Sequence, residues 1–436
     1  MSSADSLIGS YTFPLTDLNW IMRNDGSWQL AGTRGGWRHA SIKSGVAEFQ
    51  KTVLTGRKIM KITYSSKIRS LILVAALSVG LGFVSPVSAQ GGSYILDTHS
   101  QQLIKLGTLG GNVSYAWAIN DAGQVAGESN GHAFITGPNG VGMTDLGTLG
   151  GGFSSASAIN DAGQAVGRST TPGVVGWHAF ITGPNGVGMT DLGTLSGEGF
   201  TGHSDSGGVN DAGRVVGYSL TVADRWHAFI TGPNGVGMTD LGTLGGYSSF
   251  ATGINAAGQV VGYSNTVSSG GNHAFITGPG GGGMTDLGTL GGVFSVAQDV
   301  NDAGQVVGWS NTATGAQHAF ITGPNGEGMT DLGTLGGDDS YATAINDAGQ
   351  VVGYSDTAAG ERHAFITGPN GASMTDLNLN SLVELPAGTV LAPTLDINNV
   401  GQVLVTAVIP EPHSYALMLA GLILVGFMVW RKQVLA

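Results

Sequence analysis

Between residues 105 and 377 the apolar positions fall in short runs, and Gly, Pro, Asn and Asp punctuate them. One stretch, 341–377, shows the pattern. Its apolar runs at 342–346, 350–355, 363–368 and 373–377 are each too short for a helix of ordinary length and are rich in Val, Ile, Thr and aromatic residues. Such runs predict strands. Asn346-Asp347-Ala348-Gly349 and Gly368-Pro369-Asn370-Gly371 predict tight turns, because Asn and Asp close a turn and Gly accepts the left-handed position after it. Neither turn leaves room for a crossover helix, so the unit is a four-stranded antiparallel meander. Val351 and Val352 are adjacent and apolar, as are Phe365 and Ile366, and neighbours along a strand point to opposite faces. These strands therefore need cover on both faces, which stacked copies of the unit supply.

The copies are present. The Asn-Asp-Ala-Gly-Gln phrase recurs, with variations, at Asn120, Asn160, Asn210, Asn255, Asn301, Asn346 and Asn398. His-Ala-Phe recurs at His132, His178, His227, His273, His318 and His363, with spacings of 46, 49, 46, 45 and 45 residues. A four-stranded unit of this period is the signature of a β-propeller blade. The ends of the repeat region agree. Ser93-Tyr94-Ile95-Leu96 and Leu103-Ile104-Lys105-Leu106-Gly107 read as the third and fourth strands of a unit. Leu395-Asp396-Ile397-Asn398 and Gln402-Val403-Leu404-Val405 read as the missing first two. The expected fold is all-β: a seven-bladed β-propeller of four-stranded repeats over residues 90–408, its ring closed by N- and C-terminal half-blades, followed by a C-terminal transmembrane helix. Closure of the ring leaves no open sheet edge.

The flanks differ from the repeats. Residues 1–59 share nothing with them and are expected to come from a misplaced upstream start. Met60-Lys61, with Lys67 and Arg69, precedes an apolar run at 71–84 and then Val87-Ser88-Ala89. A basic start, a short apolar middle and small residues at −3 and −1 predict a secretory signal peptide over 60–89, with Val87 and Ala89 marking cleavage. After the repeats, Pro410-Glu411-Pro412 leads into an apolar stretch at 415–430 closed by Arg431-Lys432, which is the positive-inside pattern of a short membrane anchor over 409–436.

Charge narrows the partners. Residues 90–409 carry 5 basic and 24 acidic residues, a net of −19, against −12 for the whole chain. Such a surface repels phosphate backbones, so nucleic acid is not an expected partner. The chain has no cysteine, and repetition must supply what disulfides would.

Two resemblances follow from these residues. Pro410, Glu411 and Pro412, the apolar run, and Arg431 with Lys432 resemble the PEP-CTERM sorting signal, a tail that also carries the label "ice-binding protein C-terminal domain". That likeness implies recognition by an exosortase-type processing enzyme in a Gram-negative, exopolysaccharide-making bacterium. It also implies transient anchoring in the inner membrane, then release to the cell surface or beyond. The repeats resemble the extracellular HAF-repeat family, named for the triplet at His318-Ala319-Phe320 and its copies. This likeness implies an exported repeat protein and brings no reaction with it.

The histidines fall one per blade on a ring, too far apart to converge on a metal, and are expected to serve a neighbouring strand or turn. The Asn-Asp-Ala-Gly phrase lacks the ligand spacing of a calcium loop. No catalytic residue, cofactor or metal is expected. Meander geometry puts the uniform turns on one face of the ring and the variable connections on the other, where specificity usually resides. The variable connections contribute Tyr115, Phe153, Phe200, Tyr247, Phe250, Phe294 and Tyr341, with His203 and Asp205, as the candidate ligand face for an exopolysaccharide or cell-surface glycan. The expected role is a non-catalytic binding or structural module of the surface or matrix; the alternative is a propeller-type glycan hydrolase or lyase.

Overall fold

The computed structural model describes strands within residues 19–63, and then residues 90–409 apart from 174–175, 198–201, 268–270 and 379–389. The expected cleavage residues Val87 and Ala89, Phe200, the sorting residues Pro410, Glu411, Pro412, Arg431 and Lys432, and the expected transmembrane helix lie outside the described residues. Among the described residues no helix is long and apolar enough to cross a membrane.

The chain divides into two compact units, Met1–Ser88 and Ala89–Ala436. In the first, Asn19–Met22 pairs with Trp28–Ala31, and Trp37–Lys43, Val46–Thr55 and Lys58–Thr63 form a three-stranded antiparallel sheet. Met60 falls in the last of these strands.

The second unit is a seven-bladed propeller. Seven four-stranded sheets are each antiparallel with the strands in simple meander order. Blades 1 to 6 span 114–145, 154–191, 204–240, 245–286, 291–331 and 336–376. Blade 7 is built from both ends of the domain. Val390–Ile397 and Gln402–Ile409 supply its first two strands, and Gln90–Asp97 and Gln102–Lys105 its last two. The seam runs in continuous register from Gln402↔Asp97 to Ile409↔Gln90, and Thr98 Oγ1 adds a hydrogen bond to the Gly401 carbonyl at 2.8 Å. The expected ring closure by half-blades is therefore the architecture observed.

Within a blade the structure lengthens one expected element. In blades 4 to 6 the first strand begins at Gly245, Gly291 or Gly336, ahead of its apolar core, because a bulge lets the glycine pair with a Thr at the end of the second strand. A second bulge interrupts the first strand of every blade; in blade 6 it falls between Ala342 and Ala344. The bulged Thr343 turns its hydroxyl to the Thr394 carbonyl of the next blade at 3.1 Å, and Ser157 and Thr252 bond forward in the same way. Strand two crosses strand one closely at this level. A Cβ on Gly353 would lie 1.9 Å from the Tyr341 carbonyl oxygen, so no side chain fits there.

The core lies between blades, as the two-faced apolar pattern requires. The Phe of each His-Ala-Phe is fully buried. Phe365, for example, packs with Ala342, Ile345 and Val351 of its own blade against Val307, Ala319 and Ile321 of blade 5. Each such ring contributes about 1.5–3 kcal/mol of burial, and the contribution recurs at every interface.

Candidate functional site

The two faces of the ring carry different chemistry. On the turn face, each Asn of the Asn-Asp phrase is buried, and all but Asn210, which has Arg214 where the others have Gln, make a set of three bonds. Asn301 Oδ1 accepts from the Gln305 amide at 2.9 Å, and its Nδ2 donates to Gln305 Oε1 at 2.9 Å and to the Asn346 carbonyl of the next blade at 3.2 Å. The forward bond repeats from Asn120 to Asn160, Asn210, Asn255, Asn301, Asn346 and Asn398, and Asn398 closes the circle on the Asn120 carbonyl at 2.9 Å. An outer ring parallels it, in which a backbone N–H donates to the next blade's Asp or Asn carboxyl or amide oxygen. Ala256 stands at one of these positions and has no side-chain oxygen to offer. Crowding shows at Asp161, where burial first, then the charges of Asp121, Asp211 and Asp347, raise the pKa despite a bond from the Asp121 amide.

The histidines behave as expected of structural groups. In all six copies Nδ1 meets the Asp thirteen residues on, across strands three and four of the same blade, at 2.7–2.8 Å. The same Asp accepts the N–H of the following turn, as from Gly193 to Asp191 at 2.7 Å. Burial works against the Asp191 charge, yet the His178 and Gly193 bonds prevail and lower its pKa.

The ring encloses a central channel formed by the first strands. A cavity of about 230 Å³ opens at the Asn-Asp turns, and a second of about 200 Å³ lies among the bulges. Both fall below the roughly 300 Å³ at which small-molecule pockets begin. Two acids line the deeper cavity, Asp299 of blade 5 and Asp396 of blade 7, where the other blades place Ala118, Ala158, Gly208, Gly253 and Ala344. Each carboxylate spans an interface. Asp299 accepts from Val300 at 2.8 Å and from Ile345 of blade 6 at 3.0 Å; Asp396 accepts from Ile397 and from Ile119 of blade 1, both at 2.8 Å. Both acids are half-buried, walled by the blades on their sides and facing the lumen. Burial raises Asp299 to about 6, and burial with the Asp299 charge raises Asp396 to about 8. Sequence reasoning missed both. The signal was an acid two residues before the turn Asn, where five other blades carry Ala or Gly.

On the loop face the blades diverge. Of the expected ligand-face residues, the structure brings three together, His203, Asp205 and Phe250, and adds partners that the sequence reading did not single out. Asp205 accepts from Arg168 Nη1 at 3.0 Å and from Tyr218 Oη at 3.1 Å. The His203 ring sits 4.9 Å from Trp177 and 6.0 Å from Trp226, and Phe250 packs between Tyr218 and Tyr263 at 5.1 and 4.9 Å. Burial raises the Asp205 pKa against the pull of Arg168 and Tyr218. Trp177 Nε1 and His203 Nδ1 are buried without a hydrogen-bond partner among the described residues. Trp177 and Trp226 each stand directly before a His-Ala-Phe, where other blades have Asn272, Gln317 or Arg362; that substitution was the available signal.

The other expected residues are dispersed. Tyr341 belongs to a second cluster with Tyr354 and Trp309, at 4.8 and 5.9 Å, and its hydroxyl bonds to Gln317. Tyr115 is half exposed and stacks beside Trp117 near the channel. Tyr247 is 70% exposed with the Arg225 guanidinium 4.8 Å over its ring. Phe294 is exposed and Phe153 half-buried.

No family model matches the chain, and no curated protein matches it in sequence. Solved structures are similar to it at low identity. The structure of putative TolB from Agrobacterium tumefaciens is 10% identical, covering 74% of this chain and 100% of that one with a TM-score of 0.44. The β-propeller domain of the Trilobed protease from Pyrococcus furiosus, described as having an open velcro topology, is also 10% identical, covering 80% and 98% with a TM-score of 0.42. A puromycin hydrolase S511A mutant is 12% identical, covering 68% and 56% with a TM-score of 0.45.

Proposed function

We propose that this chain is an exported, exosortase-sorted repeat protein whose propeller acts as a non-catalytic binding or structural module at the cell surface or in the exopolysaccharide matrix. The observation that carries the reading is the division of labour between faces. The turn face spends its polar groups on holding blades together, whereas the loop face gathers blade-specific aromatic and polar side chains over blades 2 to 4. An indole or phenol beside a hydrogen-bonding carboxylate and guanidinium suits the apolar face and hydroxyls of a sugar ring. Export rests on the signal-like residues 60–89, and sorting on Pro410-Glu411-Pro412 with the apolar tail and Arg431-Lys432.

A glycan-array screen of the exported protein tests the binding role. Binding to a cell-surface or matrix polysaccharide, weakened about three- to tenfold by Tyr247→Ala and more by Trp226→Ala, is the expected result. A ring that binds no glycan and is not retained in the matrix overturns it. Terminal peptide sequencing of the released protein tests the sorting role, with ends expected near Gln90 and no residue after Pro412.

A further inference from the structure

The seam of blade 7 places both ends of the ring at one spot on one face. Strand two runs from Gln402, at the turn face, to Ile409, at the loop face, and Ile409 pairs with Gln90. In the other blades a variable loop joins strands two and three here, such as the one between Thr357 and Arg362 in blade 6. The two ends of the propeller take the place of that loop, at mid-radius on the loop face. The apolar stretch at 415–430 begins six residues after Ile409. Six residues reach about 20 Å when fully extended. First strands of up to 10 residues make the ring about 30 Å deep. A tether this short cannot bring the turn face to a bilayer that holds the tail.

Exposed side chains on the far side of the same face match a bilayer surface. Val222, Tyr247, Val267, Val293 and Phe294 are 86%, 70%, 79%, 54% and 42% exposed and lie on the loop-face connections and the loop-face ends of the first strands of blades 3 to 5, across the ring from the blade 7 tether. Tyr, with an apolar ring and a polar hydroxyl, favours the membrane–water interface, and Phe and Val add apolar area to it. On the turn face the exposed large apolar residues among the described ones are Val141, Val187, Val236 and Val400, none of them aromatic.

We infer that, while the tail is in the membrane, the propeller sits with its loop face on the lipid surface, held by the tether at blade 7 and by the exposed loops of blades 3 to 5. The ligand face is then covered, and cutting the tail uncovers it. Processing is thus the step that turns binding on. This rests on the anchoring role proposed above for residues 415–430.

The absence of cysteine allows single-thiol reporters in the full chain. Val222→Cys and Tyr247→Cys report the loop face and Val236→Cys the turn face, all at exposed positions. Each is reconstituted in phosphatidylethanolamine–phosphatidylglycerol vesicles, checked for retention through alkaline carbonate, and labelled with a bulky polyethylene-glycol maleimide before and after detergent. The expected result is loop-face labelling at least several-fold slower in vesicles than in detergent, with turn-face labelling unchanged. Carbonate-resistant protein that labels equally at both faces overturns the orientation and leaves the anchor standing. Protein stripped by carbonate overturns the anchor and the orientation together.

Discussion

The turn face and the loop face are made by the same strands, yet one repeats and the other does not. On the turn face every blade must reach the next across an identical gap, and the Asn belt does so with one amide per blade. A substitution there interrupts a closed circle. On the loop face strands end in solvent, and nothing in the ring's symmetry constrains the connection. At blade 4 Ala256 replaces the outer Asp while Asn255 keeps its place. The inner belt is the part the ring retains, and the outer ring tolerates a gap.

The largest effect is expected at the seam, where the circle is non-covalent. A chain stopped at Pro393 loses Ile397, Val403, Leu404 and Val405, all buried, at about 1.5–3 kcal/mol each, together with the Gln402–Ile409 ladder. The expected outcome is cooperative loss of the whole ring in thermal unfolding. A monomeric chain melting within a few degrees of the parent refutes closure as the source of stability.

Next in size is the response of the channel to pH. Asp299 and Asp396 titrate near 6 and 8 in the fold but near 4 when unfolded. The folded ring therefore binds more protons between those values. Their contribution is full below about pH 4 and is lost as pH rises through 6 and then 8, by at most about 1.4 kcal/mol per pH unit for each group. Urea midpoints should fall over this range. Asp396→Asn should flatten the upper part, and an unchanged profile in that variant excludes Asp396 as its cause.

A smaller loss is expected from Asn301→Ala. It removes three hydrogen bonds and leaves the Gln305 amide and the Asn346 carbonyl short of partners, at a cost of about 2–4 kcal/mol. Chemical denaturation reads this directly; a change below 1 kcal/mol would mean that the belt is ornamental. The smallest effect on stability belongs to the loop face. Tyr247→Ala should leave the unfolding midpoint within about 0.5 kcal/mol of the parent, so that any loss of ligand binding in it reports the face and not the fold.

Much of this architecture was readable from residues alone. Paired apolar neighbours such as Val351-Val352 announced strands covered on both sides, and the complementary halves at Ser93 and Leu395 announced the seam. The histidines were readable as structural groups because a residue repeated once per blade is held on a ring. The candidate site was readable only in part. His203 and Asp205 stood out as departures from the repeat and Phe250 as an inter-blade aromatic, whereas Arg168 and Tyr218 carry no signal within their own copies and Trp177 and Trp226 show only as substitutions before His-Ala-Phe. Only adjacency across blades 2 to 4 makes them a cluster.

The sequence by itself determined the strand unit, its period, the number of copies and the way the ends combine, because these follow from local hydrophobic pattern and turn chemistry. Tertiary structure alone decided what faces what. The belt through Asn120 and Asn398 joins residues 278 positions apart, and the pairing of Ile409 with Gln90 directs both ends of the ring to the loop face. The charge on Asp396 likewise depends on enclosure by seven blades and on Asp299 two blades away. Burial and electrostatics act through space, and the spacing of residues along the chain does not encode those distances until the circle closes.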